Sequence, residues 1–177
     1  DYSYYLEYVK PQFAFVDEHS LPAFEAALAG TRHCGRSGGI DNIIAAAPDT
    51  AGHKSFDAWI ARKTKAGVEP WPTRKDDPAV WLFTSGTTGQ SKGAVHCHFH
   101  FPFNTEVYAK RFIGVRESDV TISGPRLFFG YATGTNVMFP FAVGGTTVLF
   151  REQPTPELLF DLIAKHKATV FTSVPTL

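Results

Sequence analysis

The sequence predicts an α/β fold in which helices alternate with largely parallel strands. Three observations carry that expectation. Short apolar runs of strand length alternate with stretches whose apolar residues recur at helical spacing. Proline, glycine and hydroxyl residues fall at the borders between them. The 177 residues are 44% hydrophobic and 19% charged, which suits one globular domain with a real core and excludes a disordered chain.

Taken in order, Tyr4, Tyr5, Tyr8 and Val9 share a helical face, and Pro11 ends that helix. Phe13-Ala14-Phe15-Val16 reads as a short buried strand. Ser20 is the expected N-cap of the next helix, with Pro22 in its first turn, Leu21, Phe24 and Leu28 on one side, and Gly30 closing it. Residues 31–39 hold three glycines among polar residues and read as a loop. Ile43 to Ala47 forms a strand ended by Pro48. Ser55 caps a helix whose Phe56, Trp59, Ile60 and Lys63 follow the helical repeat. Residues 66–78 carry three prolines and Arg74-Lys75-Asp76-Asp77, and read as a solvated connection. Ala79 to Phe83 is a continuous apolar run, the pattern of a buried strand.

Beyond the segment Thr84–His100, Pro102 starts a helix running through Phe112, in which Glu106 and Lys110 form an i,i+4 pair. Val120-Thr121-Ile122 is a strand. A helix from about Tyr131 places Thr135, Met138 and Phe139 on one side and ends at Gly144-Gly145. Thr146 to Phe150 is a strand. Thr155 and Pro156 open a helix with Leu158, Leu159, Leu162 and Ile163 inward, and Thr169 to Thr172 is the final strand. The chain thus divides into a first α/β segment over 1–65, a linker over 66–78, and a third segment over 79–177.

Charge and composition exclude some functions. Lysine plus arginine equals aspartate plus glutamate, 17 each, so no net attraction to nucleic acid or an acidic membrane follows. No apolar run approaches a membrane span, and the N-terminus lacks the pattern of a signal peptide. Cys34 and Cys97 form no CxxC and suit a reducing compartment. The first residue is Asp1 rather than Met, and Leu177 follows directly on a strand, so a fragment of a longer polypeptide is expected.

The stretch that points to chemistry is Thr84-Ser85-Gly86-Thr87-Thr88-Gly89-Gln90-Ser91-Lys92-Gly93, directly after the apolar run. Its glycines let backbone N–H groups converge as an anion-binding nest. Thr84, Ser85, Thr87 and Thr88 add hydroxyl donors, and Lys92 adds a mobile positive charge. That set of donors fits a polyphosphate, against the plain alternative of a glycine-rich turn. It is not a Walker loop, which needs Gly before the lysine and Ser or Thr after it; here Ser91 precedes Lys92 and Gly93 follows.

Thr84 to Gly93 resembles the phosphate-binding loop of the adenylate-forming enzymes: acyl-CoA synthetases, luciferases and peptide-synthetase adenylation domains. Their pattern is Thr-Ser-Gly-(Ser/Thr)-Thr-Gly-x-Pro-Lys-Gly, and this chain departs once, at Ser91. Serine frees a backbone dihedral and restores an N–H, which implies a looser loop before ligand binds. The resemblance implies that the chain is part of the N-terminal domain of such an enzyme, with the C-terminal domain absent.

A second segment, Arg126-Leu127-Phe128-Phe129-Gly130-Tyr131-Ala132-Thr133-Gly134, is similar to the Lys-Leu-Phe-Phe-Ala-Tyr-Gly-Leu-Gly of benzoate–CoA ligases and their hydroxybenzoate and aminobenzoate relatives. Asp1 to Glu7 and Phe139-Pro140 look like the same branch. By that resemblance Phe129, Gly130 and Tyr131 line an aryl pocket, whose flat substrate suits aromatic walls, and Gly130 leaves more room than Ala. The alternative is that Phe128, Phe129 and Tyr131 are ordinary core residues. Between the two motifs lie His96, Cys97, His98 and His100. On one strand face the histidines are too close for most tetrahedral metal sites and no second ligand cluster exists, so no metal site is expected. His98 either lines the acyl pocket, as the resemblance implies, or caps the next helix.

The implied reaction joins an aromatic carboxylate to ATP, releases pyrophosphate, and passes the acyl-adenylate to CoA. Magnesium and preorganised donors offset the charge at phosphorus. The resemblance places ATP on Thr84, Ser85, Gly86, Thr87, Thr88, Gly89 and Lys92, gives Lys92 and Thr88 catalytic roles, and implies a place in aromatic compound degradation. Partners are then the aromatic acid, ATP and CoA, with no nucleic acid or membrane; the state of oligomerisation stays open, and the location is cytoplasmic. The family's adenine-contacting glutamate motif, ribose-binding aspartate and distal lysine do not occur before Leu177, so these residues alone are expected not to form adenylate. Two other readings stay open: an adenylation enzyme that loads a carrier protein, and a non-catalytic nucleotide binder.

Overall fold

The computed structural model describes residues 2–31, 42–62, 67, 69–85 and 89–175. The loop expected over 31–39, with Cys34, and Lys63 of the third helix fall almost wholly outside them. The chain divides into two units, Asp1–Pro70 and Trp71–Leu177, the boundary falling inside the 66–78 connection.

In the first unit, α1 (Tyr2–Val9), β1 (Phe13–Asp17), α2 (Leu21–Gly30), β2 (Asn42–Ala46), β3 (Lys54–Ser55) and α3 (Phe56–Ile60) build a parallel sheet of order β1-β2-β3. The central β2 is the run Ile43-Ile44-Ala45, buried on both faces, as a strand flanked by two neighbours and covered by helices must be. Ile43 and Ala45 join Val16 and the α1 and α2 residues Leu6, Leu21, Phe24 and Ala27 in one core. On the opposite face Phe15 meets the rings of Phe56 and Trp59 edge-on. The expectation of a buried β1 is corrected here. As the edge strand it buries only Val16, while Phe13 and Phe15 stay exposed.

The helix starts follow their local chemistry, with one correction. The Ser55 hydroxyl accepts the Ala58 N–H, as expected of an N-cap. Ser20 makes no such bond, because its backbone is already helical (φ −86°, ψ −22°). Asp17 takes over that end instead: its Oδ1 accepts the Ser20 N–H at 2.7 Å. That bond holds the Asp17 carboxyl below the usual carboxylate range.

The second unit opens with β4 (Pro78–Ser85) and β5 (Ser91–Cys97), which pair antiparallel. The expectation of a buried strand at Ala79–Phe83 is only half met. β4 forms, but among the described residues it pairs only with β5, and Val80 and Trp81 remain exposed. After β5, α4 (His100–Asn104) runs on into π-helical turns over Thr105–Ile113, ended by Gly114 in the left-handed region (φ 77°). The helix therefore starts two residues before Pro102. The Glu106–Lys110 pair forms on it as expected.

A parallel sheet of order β7-β6-β8 completes the unit, from β6 (Val120–Ser123), β7 (Thr146–Thr147) and β8 (Val170–Thr172). Between β6 and β7 lie α5 (Gly130–Thr133), a π-helical segment Gly134–Met138, and α6 (Phe139–Val143). Gly144 (φ 78°) ends this run. β7 is shorter than the five residues expected; the Val148 N–H still donates to Thr121 O of β6 at 2.8 Å, and Val148 and Phe150 pack with Ile122 and Leu159. α7 (Pro156–His166) begins as expected, the Thr155 hydroxyl accepting the Leu158 N–H at 3.3 Å. It turns Leu159, Leu162 and Ile163 onto the sheet. No helix among the described residues is long and apolar enough to cross a membrane.

Candidate functional site

The β4–β5 hairpin carries the glycine-rich loop at its tip. In the antiparallel register Ser85 faces Ser91, Thr84 faces Lys92, Leu82 faces Ala94 and Val80 faces His96. Side chains two apart on a strand share a face. One face of the hairpin therefore presents Thr84 and Lys92 beside the loop, then Leu82 and Ala94, then Val80 and His96. Lys92 is exposed and makes no salt bridge among the described residues. Gly89 takes φ 84° on the way back into β5, a conformation few side chains tolerate. Gly86, Thr87 and Thr88 lie outside the described residues, as does the Ser85 side chain.

That same face walls a cavity of about 390 Å³. Val80, Leu82, Ala94 and His96 form its floor. Its other sides come from α4 (His100, Phe101, Phe103, Asn104) and from the helix after β6 (Gly130, Thr133, Gly134, Met138). The lining is mainly apolar and the volume falls in the range of small-molecule sites. Leu82 to Thr84 is two residues along the strand, so the cavity begins about 7 Å from the Thr84–Lys92 pair.

Gly130, in the second expected motif, meets the strand that leads into the glycine-rich loop. A Cβ on Gly130 would lie 2.9 Å from Leu82 Cδ1, so the Leu82 side chain occupies the space a methyl group there would need. Gly134 serves a second close contact, since a Cβ there would stand 3.2 Å from the Phe139 ring. The turn before α5 is tied down from both ends. The Thr133 hydroxyl donates to Leu127 O and approaches Phe129 O. The Arg126 guanidinium donates to Arg151 O at 3.0 Å and Gln153 Oε1 at 3.3 Å.

The remaining expected residues distribute differently. Tyr131 borders a second cavity of about 310 Å³ with Asn104, Tyr108, Gly130, Gly134 and Phe139. Phe129 is half-exposed and is not among the residues lining either cavity. Nor is His98. The three histidines do not share a strand face, because β5 ends at Cys97. There the His98 and Phe99 N–H groups bond Asp77 O and Lys75 O, drawing the chain away from the ladder. The same bonds dock part of the 66–78 connection onto the hairpin. His98 is therefore exposed in a turn, while His96 and His100 reach the cavity with rings edge-to-face at 5.5 Å.

The Cys97 N–H donates to His100 Nδ1 at 3.1 Å. A backbone N–H can only donate, so Nδ1 accepts and the ring proton of neutral His100 sits on Nε2. His100, not His98, makes the local contact at the start of α4. No group of three or more metal-ligating side chains occurs among the described residues. The alternation along β4 and β5 was the signal for Leu82, Ala94 and His96. It was hidden because the chain before the loop reads as one unbroken apolar run.

Comparison with known proteins identifies the family and the fold. The family described as AMP-binding enzyme matches residues 1–177. The benzoate–CoA ligase of Thauera aromatica is 38% identical over 177 residues, covering 100% of this chain and 32% of that protein. The 4-hydroxybenzoate–CoA/benzoate–CoA ligase of Rhodopseudomonas palustris is 36% identical over 176 residues, covering 99% of this chain and 31% of that protein. The crystal structure of a benzoate CoA ligase from Burkholderia xenovorans LB400 superposes with a TM-score of 0.83 at 30% identity, over 100% of this chain and 33% of its own. The chain thus spans about one third of the length of the relatives it matches. Its α/β fold with parallel sheets is that of part of the N-terminal domain of adenylate-forming enzymes. The chain belongs to the AMP-binding enzyme family.

Proposed function

We propose that this chain is part of an ATP-dependent ligase that activates an aromatic, benzoate-like carboxylate through acyl-AMP and hands it to CoA. The observation that carries the reading is the shared face of the hairpin: the Thr84–Lys92 pair at the loop and the apolar wall Leu82–Ala94 of the cavity follow one another along two strands. A ring held against that wall, with its carboxylate toward the loop, lies within reach of a phosphate held by the loop.

In the first step a carboxylate oxygen attacks the α-phosphorus of Mg–ATP and the bond to pyrophosphate breaks. Thr84, Ser85, Gly86, Thr87, Thr88, Gly89 and Lys92 bind the phosphates. Lys92 and Thr88 carry the catalytic donors for the charge that builds on the departing pyrophosphate. In the second step the CoA thiolate attacks the acyl carbon and AMP leaves. Phe129, Gly130 and Tyr131 belong to the acid's side of the site, with His96 and His100 in the place first expected for His98. Magnesium arrives on the nucleotide, consistent with its habit of binding through phosphates and few protein ligands.

The test is pyrophosphate release by the full-length protein with Mg–ATP and a panel of benzoates and short fatty acids. Benzoates are expected to be preferred, and the 177 residues alone to give no turnover. A preference for fatty acids overturns the substrate assignment.

A further inference from the structure

Glycine at position 130 suggests extra room for a ring. The packing around it points the other way. All three heavy atoms nearest to a Cβ built on Gly130 belong to one side chain: Leu82 Cδ1 at 2.9 Å, Cγ at 3.9 Å and Cδ2 at 4.0 Å. The Leu82 side chain occupies the space that a methyl group at 130 would need. Both residues line the 390 Å³ cavity, Leu82 from β4 and Gly130 from α5.

We propose that Leu82 is a specificity-determining residue, and that it and residue 130 act as one unit setting how large a ring the cavity accepts. The inference rests on the function proposed above and deepens it. Leu82 is suited to the task by position. It faces Ala94 across the ladder, two residues before Thr84, so it stands between the apolar end of the cavity and the phosphate loop. Its contact atom is the far end of a flexible side chain. A methyl group at 130 would therefore turn Leu82 rather than displace backbone, and the turned side chain would enter the cavity. The expected order of cavity size is Leu82→Ala largest, then the natural pair, then Gly130→Ala. The double variant restores room because the added methyl no longer has Leu82 to push.

The experiment measures kcat/KM of the full-length protein for benzoate and for 2-, 3- and 4-methylbenzoate, in the natural protein, Leu82→Ala, Gly130→Ala and the double variant. In Leu82→Ala, at least one methylbenzoate is expected to gain about tenfold relative to benzoate, the scale of one methyl group in an apolar pocket. Gly130→Ala is expected to lower the same ratio, and the double variant to keep most of the Leu82→Ala gain, well above the product of the two single effects. Gly130→Ala adds atoms where Leu82→Ala removes them, so each single variant tests the direction by itself and the four proteins together test the coupling. Effects of the two substitutions that simply multiply, or ratios that do not move, overturn the inference while leaving the aromatic ligase reading intact. Failure of the natural protein to activate any benzoate overturns both.

Discussion

Lys92 stands directly opposite Thr84 across the β4–β5 ladder, at the neck of the glycine-rich loop. The pairing puts the ammonium group and the hydroxyl on one face of the hairpin, the face that continues into the cavity. An exposed lysine on a regular strand contributes little to stability, so its loss should be read in chemistry.

Replacing Lys92 with alanine in the full-length protein is expected to lower the rate of adenylate formation about 100-fold or more, the usual cost of one donor to transition-state charge. The thermal midpoint should stay within about 1 °C, because no described side chain depends on Lys92. Carboxylate-dependent exchange of pyrophosphate into ATP measures the first quantity, and an unaltered exchange rate would remove the role assigned to this residue.

The turn after α6 separates two glycines by severity. At Gly144 the left-handed φ of 78° disfavours any side chain, but a Cβ would meet only Glu117 Cγ at 3.4 Å. At Gly145 a Cβ would meet three backbone carbonyl oxygens, of Asp119, Arg116 and Pro140, at 3.2–3.3 Å. Gly144→Ala is expected to cost about 1 kcal/mol. Gly145→Ala should cost more, since backbone has to give way. Urea unfolding of the two variants checks the order; a milder Gly145→Ala would show that the turn is looser than this packing.

Thr155→Ala removes the hydroxyl that accepts the Leu158 N–H at the start of α7. A loss of about 1 kcal/mol is expected, with Thr155→Ser retaining most of the stability. Equal losses from both would assign the effect to the threonine methyl group rather than to the cap.

Asp17 supplies the pH-dependent contact. Its carboxylate accepts the Ser20 N–H, and this lowers its pKa in the folded state. A group depressed on folding contributes stability that is fully present above its unfolded pKa and is lost as pH falls through the folded one. Asp17→Asn should therefore destabilise at pH 7, and the difference from the natural protein should shrink steadily below about pH 4. Because the site is open to solvent, the effect is small, at most about 1 kcal/mol. Thermal midpoints of the two proteins from pH 7 to pH 3 measure it, and a gap that widens in acid would contradict the sign.

Features that depend on neighbours in the chain were legible from residue order. The Ser55 and Thr155 caps, the Gly144 stop, the Glu106–Lys110 pair and the alternation of strands with helices all arise within a few residues, and each was expected where it occurs. The motif from Thr84 to Gly93 was likewise legible in residue order, because its residues are consecutive. Ser20 was misjudged even at this range: its backbone is helical, and its own N–H is bonded by the Asp17 carboxylate.

What the sequence by itself determined was thus the set of local elements and the family, since backbone preference and short-range hydrogen bonds act between near neighbours and the family's motif is a run of consecutive residues. Tertiary structure decided which strands pair and which side chains meet. It made β1 an edge, ended β5 at Cys97 so that His100 and not His98 reaches the cavity, and set Leu82 against Gly130. Those outcomes depend on close packing between segments far apart in the chain, where one missing methyl group at Gly130 leaves the space that the Leu82 side chain fills.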